Sequence, residues 1–167
     1  MEAAYFHNLA RYNAWANRRL YAACAQLPDV EYHKPRLAFF GSIHGTLNHL
    51  IVGDRIWLGR ITGEDSGLKA LDQILYDDLV SLRKAREAED ARLITIVDGY
   101  DDAALDRLLA YHTTRGEPQK TRLAWILAHL FNHQTHHRAQ VHDMLSQTLV
   151  PPPPLDLILY LRETAAA

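Results

Sequence analysis

Four long stretches of the chain repeat apolar residues at three- and four-residue spacing, which is the period of an amphipathic helix. In the first stretch, for example, Tyr5, Leu9, Tyr12 and Ala16 fall on one face. The predicted helices cover residues 3–27, 42–61, 72–97 and 123–148. Four such helices in a chain of 167 residues predict one all-α domain, spanning residues 1–167 and built as a four-helix bundle.

Three shorter features accompany the predicted bundle. Between LLAYHTT and QKTR, the pair Arg115-Gly116 supplies turn chemistry, so residues 108–122 are predicted to form a short β-hairpin. A short C-terminal helix is expected over residues 155–162, after a run of four prolines ends the fourth long helix. The loop over residues 62–71 is long enough for a crossover connection between bundle helices.

Charge and composition exclude several classes of protein. The net charge is −2, which gives no basic face for nucleic acid. No apolar run reaches the roughly 18–20 residues that span a bilayer, and arginines interrupt the first helix, so no membrane segment or signal peptide is expected. The single cysteine, Cys24, cannot form an internal disulfide and is expected to serve as a packing residue. These features favour a soluble cytoplasmic protein.

The fourth helix contains an unusual concentration of histidines, in the stretch HLFNHQTHHRAQ (129–140). On a helical wheel His137 and His133 lie about 40° and 80° from the centre of the apolar face, while His129 and His136 fall at about 120–140°. A pair at positions i and i+4 can bind one metal ion. Alternatively, both rings lie in the core and hydrogen-bond to helix neighbours, since unpaired buried rings would be costly.

A third metal ligand would have to come from another element, and the apolar period does not identify it. The candidates are His7, His44, His49 and His112. On the second helix, Asp54 lies near the middle of the apolar arc. It is either a carboxylate paired with an arginine or a ring nitrogen, or a supporting or catalytic carboxylate near the metal. The charge-rich stretch 78–90 is predicted to be a solvated helix face.

Three separated motifs resemble the DinB/YfiT-like family, which is named for damage-inducible bacterial proteins. They are RYNAWANRRL (11–20), SIHGTLNHLIVGDRIWLGR (42–60) and LAHLFNHQTHHRAQVHDML (127–145), and YHTTRGEP (111–118) is similar to the strand and turn before the last bundle helix. The resemblance implies a bundle of crossover topology with a divalent metal held by His49, His133 and His137. It leaves Tyr12, Asn13 and Trp15 as possible pocket residues with no assigned role.

The resemblance also implies a homodimer and an activity. Members of the family that the chain resembles include transferases and isomerases that use bacillithiol, mycothiol or glutathione. The leading hypothesis is therefore a metal-dependent S-transferase that joins a low-molecular-weight thiol to a small electrophile. The second hypothesis is a metal-dependent hydrolase that activates water at the same site. The third is a non-catalytic, stress-related metal-binding scaffold. Imidazole ligands suit several metals, with zinc expected first and nickel second. An aromatic-lined pocket beside the metal would favour the enzymes.

Overall fold

The structure, a computed structural model, describes residues 2–165 and is mainly helical. In chain order its elements are α1 (Ala3–Cys24), α2 (Asp29–His33), α3 (Ile43–Thr62), α4 (Leu79–Asp98), α5 (Asp102–Leu105), β1 (Leu108–His112), β2 (Pro118–Arg122), α6 (Leu123–Ser146) and α7 (Leu157–Ala165). The all-α prediction is confirmed, and so are the hairpin and the C-terminal helix. The short helices α2 and α5 were not predicted. In the described part of the chain no helix has the length and apolar character needed to cross a membrane.

The four long helices form the bundle with a crossed connectivity. Helix α1 packs against α4 and α6, and α3 packs against the same two helices, so the consecutive helices α1 and α3 lie diagonally across the bundle. The connections that cross the bundle are therefore residues 25–42 and 99–122. The crossover is present, but its predicted position at 62–71 is wrong, because that loop joins the neighbouring helices α3 and α4.

Helix α3 begins and ends on local signals in the sequence. The Ser42 hydroxyl accepts a hydrogen bond from the Gly45 amide at 2.9 Å, which satisfies one of the free N–H groups of the first turn. Gly63 ends the helix with φ of 80°, a left-handed conformation that glycine adopts without strain. These signals determine where α3 begins and ends, and therefore where each of its side chains lies along the bundle.

Helix α4 begins seven residues later than the predicted start at Asp72, because a tertiary contact competes with helix formation. The side-chain oxygen of Asn48 accepts hydrogen bonds from the amides of Leu75 and Tyr76, at 2.9 and 3.0 Å, and holds this stretch on α3. Asp78 then caps the helix by accepting from the Ser81 amide at 2.8 Å. The apolar residues that suggested a helical period over residues 72–78 therefore belong to a loop that packs on α3.

The hairpin leads directly into α6. Its strands pair antiparallel, with Leu108 opposite Arg122 and His112 opposite Pro118, and Gly116 takes the left-handed turn position with φ of 83°. Because β2 ends at the residue before α6 begins, the hairpin lies at the end of the bundle beside α3 and α6. Its inner face helps to enclose the cavity described below.

A layer of buried polar residues separates two apolar clusters in the bundle core. Arg86 at its centre contacts Asp54 at 2.6 Å and Asp90 at 3.0 Å, and is 1% exposed. The other members are Asn13, Asn17, Gln134 and Arg138. The prediction that residues 78–90 form a solvated face is wrong at Arg86 and Asp90. These two side chains pair with each other, Arg86 also pairs with Asp54 of α3, and side-chain amides of α1 donate hydrogen bonds to Asp90.

Candidate metal centre

Three imidazole rings from two helices converge on one point. His49 comes from α3, and His133 and His137 come from adjacent turns of α6. One side-chain nitrogen from each ring lies within 4.8 Å of the other two. Helices α3 and α6 are direct neighbours in the bundle, which is why a residue on α3 completes the pair on α6. The structure thus brings together the three residues that the resemblance named.

Hydrogen bonds to two of the rings determine which nitrogens point toward the centre. The Nδ1–H of His49 donates to the carbonyl oxygen of Leu71 at 2.7 Å. The Nδ1–H of His137 donates to Oε1 of Gln140 at 2.8 Å. In a neutral ring with Nδ1 protonated, Nε2 carries a lone pair. Both rings are therefore oriented and protonated as metal-ligating histidines require.

The separation of the rings fits a shared cation. Nε2 of His49 lies 3.0 Å from Nε2 of His133. Two ligand nitrogens at about 2.0–2.1 Å from one tetrahedral metal ion would be about 3.3 Å apart. A proton on Nε2 of His133 can bridge this gap as a hydrogen bond to the lone pair of His49, and a cation bound by both nitrogens would take the place of that proton. The donor set and its spacing therefore fit a divalent metal ion that accepts imidazole ligands.

Burial keeps the three rings in the neutral form that a metal needs. Desolvation lowers the pKa of His49 to about 4, partly offset by the bond to Leu71, and lowers the pKa of His133 to about 3. Burial also lowers the pKa of His137, although Gln140 opposes this shift. All three rings are thus uncharged near neutral pH, and no proton has to be displaced before a cation binds.

Two neighbours of the rings set the shape of the centre. Phe40, in the connection before α3, stacks on His49 with ring centroids 3.8 Å apart and lies edge-on to His137 at 5.4 Å. Gly53 lies one turn after His49, where an added Cβ would be 3.0 Å from Cε1 of His133. A side chain at residue 53 would therefore press on the ring of His133 and require it to move by a few tenths of an ångström.

A cavity of about 450 Å³ opens beside the centre, between α3, α6 and the hairpin. His49 and His133 form one end of it, and its walls include Trp57, Arg60 and Tyr111. The edge of His129 contacts Trp57, with ring centroids 5.0 Å apart. Because the three-histidine group includes no fourth ligand among residues 2–165, the cavity can bring a small molecule to the remaining coordination positions.

The other histidines that the sequence offered as third ligands lie elsewhere. Nε2 of His7 bonds to the Tyr100 carbonyl at 3.0 Å, and Nε2 of His44 bonds to the Tyr76 carbonyl at 2.9 Å. His112 is exposed on β1. On α6, His129 and His136 are exposed, as the helical wheel predicted.

The non-histidine candidates belong to packing rather than to the walls of this cavity. Asp54 is 1% exposed and forms its ion pair with Arg86, which matches the alternative of a carboxylate paired inside the bundle. Tyr12 and Trp15 pack on Tyr160 of α7, with centroids 5.9 and 5.7 Å apart. Asn13 belongs to the buried polar layer, where it donates to Asp90.

Sequence reasoning missed the residues that support the ligands. Gln140 follows His137 by three residues on the same helix, so its spacing could have revealed it. Phe40 and Leu71 lie in connections, and their distance in sequence from His137 and from His49 gave no signal. Gly53 could have been noted as a glycine inside a helix, where it costs stability unless close packing requires it.

Comparison with known proteins identifies the family of this chain. The family model described as "DinB family" matches residues 1–166. The chain belongs to the DinB family. Among curated proteins, Protein DinB of Bacillus subtilis (strain 168) is 28% identical over 159 residues, and the alignment covers 92% of this chain and 91% of that protein. The family resemblance inferred from the three motifs is therefore confirmed, and it extends over nearly the whole chain.

Proposed function

We propose that this DinB-family protein binds a divalent metal ion, zinc first and nickel second, through His49, His133 and His137. We propose further that it uses this centre as an S-transferase. The reaction would join the sulfur of a low-molecular-weight thiol to a carbon of a small electrophile. The observation that carries the proposal is the group of three neutral imidazoles, with nitrogens within 4.8 Å of one another, at one end of a cavity.

A divalent ion in this position would supply Lewis acidity, which lowers the pKa of a coordinated thiol so that the thiolate is available near neutral pH. The protein's own part is to orient the rings and to limit the access of water. Leu71 and Gln140 hold the rings of His49 and His137, and Phe40 stacks on the ring of His49. A carbon–sulfur bond would form as the leaving group departs with its electron pair, and the thiol proton would pass to solvent.

The chain's only cysteine supports an external source of the thiol. Cys24 is 0% exposed, and burial raises its pKa to about 12. It belongs to the apolar cluster that includes the C-terminal part of α1, and no member of that cluster lines the cavity. A sulfur nucleophile therefore has to enter from solvent as a separate molecule, which agrees with a thiol cofactor.

A metal-dependent hydrolase at the same centre is the second candidate. The observation that favours it is His129, whose ring lines the cavity 5.8 Å from the ring of His133. Although the residue as a whole is exposed, partial burial of its ring, and secondly the charge of Arg60, lower the pKa of His129, so the ring is neutral near pH 7 and able to accept a proton from water. The cavity itself argues against the third hypothesis, a non-catalytic scaffold, because a purely structural site needs no access for small molecules.

Cobalt substitution distinguishes the two enzymatic proposals. The cobalt-loaded protein is titrated with bacillithiol, mycothiol and glutathione while the visible and near-ultraviolet spectrum is recorded. The S-transferase proposal expects a sulfur-to-cobalt charge-transfer band with at least one thiol. If none of the three produces the band at millimolar concentration, the transferase proposal fails, and hydrolysis of model esters and amides becomes the assay. A homodimer and a cytoplasmic location stay predictions from the sequence, and light scattering tests the former.

A further inference from the structure

Arg60 lies in the wall of the cavity at the end away from the histidines. His49, Gly53, Trp57 and Arg60 follow one another along one face of α3, so Arg60 is about three turns, or about 16 Å between Cα atoms, from His49. Arg60 also lines a second cavity, of about 560 Å³, between the hairpin and the loop after α3. A molecule that enters from this side and extends toward the metal centre therefore passes the Arg60 side chain.

The guanidinium of Arg60 is held by aromatic rings. Its Cζ atom lies 4.5 Å from the ring centroid of Trp57 and 5.1 Å from that of Tyr111. Contacts between a guanidinium and ring faces fix its position while leaving the N–H groups at its edge free to donate. Those groups form a planar fork that matches the two oxygens of a carboxylate.

The carboxylates nearest to Arg60 in sequence have other partners. Glu64, one turn further along, forms its ion pair with Arg92 of α4. Asp65 accepts a hydrogen bond from the Gly67 amide. Within residues 2–165 Arg60 forms neither an ion pair nor a side-chain hydrogen bond, although it is half-buried. Burial lowers the pKa of Arg60, the direction expected for a cation that has lost water without gaining a carboxylate.

We propose that Arg60 binds a carboxylate of the molecule whose other end reaches the metal centre. The substrate class is then a small organic acid that carries its reacting group, a thiol in the leading interpretation, on a chain long enough to extend along the cavity. The identity of the reacting group rests on the proposed function, whereas the carboxylate site depends only on Arg60 and the aromatic rings around it. Neutral analogues of the same length should bind more weakly.

The first test needs no thiol chemistry. The zinc-loaded protein is titrated with hexanoate and, separately, with hexanamide, while nitrogen NMR follows the arginine side chains. The Arg60 signal is assigned by its absence in Arg60→Lys. We expect hexanoate to shift this signal saturably and hexanamide to leave it in place. Arg60 shifts of equal size with both compounds, or with neither, would overturn the proposal.

The second test places the reacting group on the same chain. Binding of mercaptohexanoate and mercaptohexanamide to the cobalt-loaded protein is measured from the sulfur-to-cobalt band. Arg60→Met should weaken binding of the acid about tenfold and leave the amide unchanged, with Arg60→Lys intermediate. Arg18→Met, which removes a charge from the exposed surface of α1, is the matched control and should change neither.

The two tests separate failure of this proposal from failure of the proposed function. If no thiol produces a cobalt band, the S-transferase proposal fails, and the NMR titration still decides whether Arg60 selects carboxylates. If the band appears but Arg60→Met weakens acid and amide alike, the carboxylate site is wrong while the thiol site stands. Circular dichroism of each variant confirms that the bundle is folded, and Arg60→Lys retains the charge if Arg60→Met does not fold.

Discussion

Nε2 of His49 on α3 lies 3.0 Å from Nε2 of His133 on α6, although the two residues are 84 positions apart in the chain. This contact joins two helices that the crossed connectivity makes neighbours. Burial lowers the pKa of both rings, so each is neutral near pH 7 and can offer a lone pair to a shared cation. The residues that orient the rings or shape the space around them should then control metal affinity.

Gln140→Ala should weaken metal binding without changing its stoichiometry. The substitution removes the acceptor that bonds to Nδ1–H of His137, so the ring loses its fixed orientation. Loss of such a supporting hydrogen bond lowers metal affinity by about 10- to 100-fold. Competition with a zinc-sensitive dye gives the dissociation constant. Gln147→Ala, at an exposed position after α6, is the control, and equal affinities of the two variants would contradict the prediction.

Gly53→Ala should separate stability from metal affinity. Alanine raises helix propensity by about 1 kcal/mol, which favours folding. Its Cβ would lie 3.0 Å from Cε1 of His133, so the ring must move away from its present position. We expect thermal stability of the metal-free protein to be kept or raised, and zinc affinity to fall about tenfold. Gly99→Ala, at the end of α4, should leave the affinity unchanged.

Arg86→Met should destabilise the metal-free protein strongly. The substitution leaves the buried carboxylates of Asp54 and Asp90 without their ion-pair partner. Breaking a buried pair in this way costs about 3–5 kcal/mol of the free energy of unfolding. Urea titration followed by circular dichroism measures the change. Arg83→Met removes an exposed pair with Glu87 on the same helix and should cost less than about 1 kcal/mol.

Cys24 should be unreactive in the folded protein. Its thiol is fully buried, and burial raises its pKa to about 12, so the thiolate forms only at strongly alkaline pH. A chromogenic disulfide reagent should therefore react with no thiol in native protein at pH 8 and with one thiol per chain in denaturant. Rapid reaction in the native state would show that the end of α1 opens, and would weaken the argument for an external thiol.

The sequence predicted the elements well and their mutual arrangement poorly. Capping residues such as Ser42 and breakers such as Gly63 mark helix ends locally, so α3 could be placed within a residue or two. The start of α4 could not be predicted, because the residues before it bond to Asn48 of another helix and do not continue the helix. The buried charge of Arg86 was hidden for the same reason, since its partner Asp54 lies on α3, distant in the sequence, and polar residues carry no apolar period.

The three histidines of the candidate metal centre were likewise predictable only in part. The spacing of His133 and His137 on one helix predicted that the two rings face the core side together. The third ring could not be chosen from His7, His44, His49 and His112 by periodicity, because the choice depends on which helix packs against α6. The family motifs indicated His49, and one nitrogen of its ring lies within 4.8 Å of a nitrogen of each of the other two rings.

The central claim is that His49, His133 and His137 together hold one divalent ion. The most direct test is the zinc content of dialysed protein, measured by mass spectrometry for the wild type, His49→Ala, His137→Ala and His112→Ala. We expect about one zinc per chain in the wild type and in His112→Ala, and almost none in the other two variants. Full zinc content in His49→Ala would contradict the account, because it would mean that α3 contributes no ligand.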